Sequence, residues 1–107
     1  MSSTVLVYIT AADRAQALDI GRALVESHLA ACANIMPGIT SIYRWEGEIH
    51  QDDEVALLAK TRSELAEAVI AKVLELHSYS CPCVVALPIS AGNPAFLEWI
   101  AAETREG

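Results

Sequence analysis

The sequence is poor in positive charge. Seven lysines and arginines stand against fourteen aspartates and glutamates, a formal net charge of −7. A surface of that sign repels phosphate backbones and anionic headgroups, which argues against nucleic-acid and membrane partners. Long hydrophobic runs are also lacking, since no stretch approaches the roughly 20 apolar residues of a membrane span. Met1-Ser2-Ser3-Thr4 carries no basic residue, and the apolar run after it is too short for a secretory signal. No Walker loop, G-x-G-x-x-G or G-x-S-x-G pattern occurs, so the nucleotide and hydrolase signatures are missing. Linkers, low-complexity tracts and solenoid repeats are absent too. Cysteines number three, an odd count, and Cys81 and Cys83 are too close in sequence for an easy mutual disulfide. The expectation is a reducing, cytoplasmic setting with free thiols.

What is present suits a folded chain, with 53% hydrophobic and 20% charged residues. One domain over residues 1–107 is expected, a size that buries about two-thirds of the unfolded surface. Val5 to Thr10 is apolar and β-branched and reads as a buried strand. Asp13 is placed to cap a helix running to about Leu29, with Leu18, Gly21, Val25 and His28 at helical spacing. Ala31 to Trp45 is extended but broken by Pro37-Gly38, the mark of a bend or bulge on an edge. Glu46-Gly47 then makes a two-residue turn, and Glu48 to Thr61 returns. Thr61 and Glu64 have capping-box spacing before a second helix with Leu65, Val69, Val73 and Leu76 on one face. Val84 to Ile89 is a further strand. Asn93-Pro94 opens a last helix whose stripe is Phe96, Leu97 and Ile100.

The order β-α-β-β-α-β-α with right-handed crossovers predicts an α+β fold. It is the split-βαβ, ferredoxin-like sandwich, with two helices on one face of a four-stranded antiparallel sheet. Each hairpin arm has about 13–14 residues where strands usually have about 5–6. An overlong hairpin leaves unpaired edges that invite a second subunit.

Chemistry concentrates in His77-Ser78-Tyr79-Ser80-Cys81-Pro82-Cys83. Thiolate and imidazole are the donors that soft and borderline metals prefer, so His77, Cys81 and Cys83 are the candidate ligands for copper or zinc. His77 falls at the carboxyl end of the second helix, where a cation is favoured. The plain alternative is a helix-end histidine and two cysteines packed as small apolar residues. On the returning strand Glu48, His50, Asp52 and Glu54 share one face, with Tyr43 opposite His50 and Trp45 opposite Glu48. Such carboxylates can collect divalent cations weakly, or simply solvate an edge. Cys32, among alanines, reads as packing. Lys60, with Tyr43 and Trp45, could line a cleft for a small anion.

Three blocks resemble the CutA family of divalent-cation tolerance proteins. They are Ala31 to Ile49 with its S-x-Y-x-W-x-G-x-I core, Leu57-Leu58-Ala59-Lys60-Thr61, and His77 to Cys83 followed by Leu87-Pro88-Ile89 and Leu97-Glu98-Trp99-Ile100. The resemblance implies a small ferredoxin-like subunit that forms homotrimers through its long hairpin, with inter-subunit clefts and an architecture like the nitrogen-regulatory PII proteins. It implies tolerance of copper and other divalent metals, no enzymatic reaction and no obligatory cofactor, the partners being further copies of the chain and metal ions. Cys32, Tyr43, Trp45, Lys60, His77, Tyr79 and Pro82 match the family's pattern. Tyr43, Trp45, Lys60 and Tyr79 are therefore the expected cleft, with Cys32 a further thiol. Ser78 stands where many members carry proline, and Cys83 where a glutamate is usual. That last change would shift metal preference toward softer ions. A PII-like signalling trimer holding a small anion is the alternative function, and a stable scaffold is the third.

Overall fold

The computed structural model describes residues 3–106; Met1 and Ser2, part of the segment searched for a leader, lie outside them. The chain runs β1 (Thr4–Ala11), α1 (Arg14–Glu26), β2 (Cys32–Trp45), β3 (Glu48–Arg62), a 3-10 turn (Ser63–Leu65), α2 (Ala66–Leu76), β4 (Val84–Ile89) and α3 (Pro94–Glu103). The strands form one antiparallel sheet in the order β2-β3-β1-β4. This is the expected α+β, split-βαβ arrangement.

Alternation along the strands divides the sheet into two faces. Val5, Val7 and Ile9 of β1, with Leu57 and Ala59 of β3, form a buried cluster with Ile20 and Leu24 of α1 and Val69 and Val73 of α2. The opposite face carries Leu6, Tyr8, Leu58, Val85 and Leu87, and the last two are exposed. Ile100 of α3 is fully buried, and Arg62 reaches α3's end through its Nε donating to Thr104 Oγ1 at 2.9 Å.

Asp13 caps α1, its Oδ1 accepting from Gln16 N at 2.9 Å, and Asn93 caps α3 by accepting from Ala95 N at 3.1 Å. Three local expectations are corrected. Helix α1 stops at Glu26 rather than Leu29, because His28 takes a left-handed φ of 60° and Leu29 N and Ala30 N both donate back to Leu24 O. Its buried face is Ala17, Ile20, Gly21 and Leu24, so Leu18 and Val25 turn outward. A Cβ on Gly21 would lie 3.3 Å from Leu57 Cδ1, so the missing side chain lets the helix approach the sheet on that face. The capping box does not form either. Thr61 is still in β3, and its fully buried hydroxyl donates to Leu29 O at 2.6 Å.

The hairpin is as long as the sequence predicts, with arms of 14 and 15 residues. Val55 to Arg62 pair with β1 on the far side, whereas Glu48 to Glu54 pair with β2 alone. The hairpin thus projects as a two-stranded ribbon from a molecule 44 Å long and 22 Å across. Its turn is built by positive φ at Glu46 (50°) and Gly47 (81°), the pattern that matches strand twist. The register slips between Met36 and Ile39, where Gly38 takes φ 83°.

Candidate functional site

A cleft of about 530 Å³ opens where the ribbon leaves the sheet. Strand β2 supplies Ser41, Tyr43 and Trp45, which share a face by alternation, and β3 supplies Asp52 and Glu54. Tyr8 and Thr10 of β1 form the floor, and the connector between α2 and β4 closes one side with Tyr79, Ser80, Cys81 and Cys83.

Thr10 anchors the connector at both of its ends. β4 pairing ends at Ile9 opposite Val84, so Thr10 has no ladder partner on that side. Its N–H donates to Cys83 O at 3.3 Å, and its carbonyl accepts from His77 Nε2 at 2.7 Å. His77 is buried, and its other nitrogen, Nδ1, accepts from Tyr79 N at 3.1 Å. A carbonyl can only accept and a backbone N–H can only donate, so these bonds fix the ring hydrogen on Nε2 and leave Nδ1 as acceptor. Both nitrogens are used, and the cationic ring expected at a helix end is not the form these bonds hold.

Two phenol–carboxylate pairs line the cleft. Tyr79 Oη donates to Glu54 Oε2 at 2.8 Å, and Tyr43 Oη donates to Asp52. Burial first, then the bond to Glu54 and its charge, push the Tyr79 phenol well above its usual range. The Tyr43 phenol is raised chiefly by the bond to Asp52. Tyr43 also stacks on His50, its cross-strand partner, with ring centroids 5.4 Å apart. Glu54, with 8% of its surface exposed, is part of the wall rather than a solvated edge charge.

Of the residues expected to form a ligand cleft, Tyr43, Trp45 and Tyr79 come together and Lys60 does not. Lys60 pairs across the sheet with Cys32 and Leu6, and its Nζ donates to Asn34 Oδ1. It lies six positions along β3 from Glu54, about 20 Å at the usual rise. No lysine or arginine lines the cleft among the described residues. Its charge is therefore negative, the opposite of what a small anion needs. Cys81 and Cys83 are exposed on the cleft, while Cys32 is half-buried beside Lys60 and apart from them. All three thiols are free. Among the described residues no three His, Cys, Asp or Glu side chains gather closely enough to hold a metal, so His77, Cys81 and Cys83 are not assembled as one set of ligands within the chain. Asp52 and Glu54 are the wall residues that sequence reasoning undervalued. Their signal was the alternation from Glu48 to Glu54 opposite an aromatic.

Strand order and overlong hairpin define a small ferredoxin-like α+β protein with an acidic, thiol-bearing cleft. The chain belongs to the CutA1 family: the family model described as CutA1 divalent ion tolerance protein matches residues 5–103. It is 46% identical over 99 residues to the divalent-cation tolerance protein CutA of Thermus thermophilus, covering 92% of this chain and 96% of that one. It is 41% identical to the chloroplastic CutA protein of Arabidopsis thaliana, covering 95% of this chain but 56% of that one. The crystal structure of CutA1 from Oryza sativa superposes with a TM-score of 0.96 at 40% identity, covering 99% of this chain and 97% of that one. Among the described residues no helix is long and apolar enough to cross a membrane.

Proposed function

We propose that this chain serves divalent-cation tolerance by binding the metal ion rather than by catalysis, as a cytoplasmic homotrimer with a weak site for copper or a similar divalent metal in each cleft. The observation that carries the reading is the donor set of the cleft. Carboxylates of Asp52 and Glu54 face thiols of Cys81 and Cys83 with no cation among them. Mixed oxygen and sulfur donors that do not close into a three-ligand set within one chain, among the described residues, suit a borderline ion held weakly as cargo. The phenols of Tyr43 and Tyr79 occupy one lone pair on each carboxylate and orient the rest. His77 acts behind the site by holding the connector to Thr10.

Homotrimer formation has separate support. Ile42 and Ile49 on the ribbon are 69% and 67% exposed, and Val85 and Leu87 on edge strand β4 are also exposed. An unpaired ribbon and an open apolar sheet face are surfaces that a second copy covers. The PII-like reading, with a small anionic ligand, loses its cation because Lys60 lies outside the cleft.

Calorimetric titration of the reduced protein with copper(II), zinc and manganese tests the function. Binding that weakens in Asp52→Asn and Glu54→Gln is the expected result. No heat or melting shift with any metal leaves only the scaffold reading. Light scattering that finds a monomer at micromolar concentration removes the trimer.

A further inference from the structure

We propose that Cys81 and Cys83 form a two-sulfur site for a thiophilic d10 ion, copper(I) in the reduced protein and mercury(II) by the same chemistry. The site shares the cleft and so rests on the cation-binding reading, but it names a different class of ion from the one the carboxylates take. Both thiols are free, exposed and on the wall of one cleft. Pro82 between them fixes its own φ near −65° and keeps Cys81 out of helical conformations. The tripeptide is anchored as well, since Cys83 O accepts from Thr10 N and His77 Nε2 donates to Thr10 O. Two soft donors on a short, restrained segment lose little freedom when they meet one ion.

The same surroundings decide which ion. His77 has no free nitrogen, and no third His, Cys, Asp or Glu completes a cluster among the described residues. Zinc in a structural site takes four ligands, and calcium and magnesium take about six or more oxygens. Copper(I), silver(I) and mercury(II) accept linear coordination by two sulfurs, and thiolates select them over harder ions. Binding of copper(I) releases two thiol protons and leaves a bis-thiolate with one net negative charge. Mercury(II) releases the same two protons and leaves a neutral complex. Next to Asp52 and Glu54 the neutral complex is the less repelled, so mercury(II) binds the more tightly of the two.

The experiment titrates copper(I) into the reduced full-length protein without oxygen, against a chromogenic copper(I) chelator. One ion per chain is expected. Either Cys81→Ser or Cys83→Ser lowers affinity by more than about 100-fold, the upper end of what losing an outer-shell partner costs. Cys32→Ser leaves it unchanged. X-ray absorption on the wild-type copper(I) protein gives two sulfur neighbours and no nitrogen, a readout that no variant's folding affects. Affinity unchanged in both serine variants, or a nitrogen neighbour in the spectrum, overturns the site. Asp52→Asn combined with Glu54→Gln separates it from the function proposed above. Copper(I) retained there while divalent binding is absent even in wild type fails that function and upholds the two-sulfur site.

Discussion

Replacing His77 with alanine tests whether the histidine is structural. The substitution deletes the donor to Thr10 O and the acceptor for Tyr79 N. Each bond contributes about 1 kcal/mol net, and a buried carbonyl left without a partner costs about 1–3 kcal/mol. Thr10 O lies beyond the last β1–β4 pair, so no strand neighbour replaces the lost donor. The expected total is about 2–4 kcal/mol, near the upper range for single substitutions. With a urea slope of about 2 kcal/mol per molar, the midpoint falls by about 1–2 M. Glutamine at this position presents an N–H and a carbonyl at nearly the same reach and recovers most of the loss. Urea unfolding at one fixed protomer concentration measures both, because subunit association would otherwise shift the midpoint. An alanine variant within about 0.5 kcal/mol of wild type, the usual range of an inert surface change, refutes the reasoning. So does a glutamine variant no better than alanine.

The Tyr79 phenol is held above the ordinary value of 10.0 by burial and by its bond to Glu54. The folded state therefore keeps this proton longer than the unfolded chain does. The stabilisation is complete below the unfolded value and declines as pH rises beyond about 10. Urea midpoints taken between about pH 8 and pH 11 should fall with pH, and Tyr79→Phe should flatten that fall; parallel curves would contradict it. Thr61→Val keeps the shape of a fully buried side chain but removes its donor to Leu29 O, and a loss of about 1–3 kcal/mol is expected by thermal or urea unfolding. A neutral result there would mean that Leu29 O finds another donor.

Features fixed by short-range rules were legible in the sequence. Asp13 and Asn93 cap where their spacing predicts, and Glu46-Gly47 sets the register that brings Tyr43 opposite His50. A two-residue turn leaves little freedom in pairing, so this part of the cleft wall followed from the hairpin alone. The rest depends on contacts across the sequence. His77 reads as a ligand until Thr10, 67 residues earlier, is placed against it. Glu54 reads as a solvated charge until Tyr79, 25 residues later, covers it. Lys60 and Tyr43 belong to one family pattern and one hairpin, yet strand length carries them to opposite ends. The buried face of α1 was misplaced by one residue, because helical spacing alone fits Leu18-Gly21-Val25 as well as Ala17-Ile20-Leu24. What separates them is the packing of Ile20 and Leu24 into the cluster with β1, β3 and α2, a tertiary fact.

The central position of β1 bears on how the chain can be made. Thr4 pairs with Arg62 on one side and with Ile89 on the other, so the first strand to leave the ribosome waits for partners from the middle and the end of the chain. During synthesis Val5, Val7 and Ile9 stay without their sheet until β3 and then β4 emerge. Pairings of such sequence separation form slowly, and an apolar strand left unpaired is prone to aggregate. The hairpin of β2 and β3 is local and can close on its own, which gives β1 a ready template once Arg62 has emerged. Nascent chains halted before β3 emerges would carry β1 open on both edges, and those halted between Arg62 and Val84 would still leave a chaperone one edge to cover.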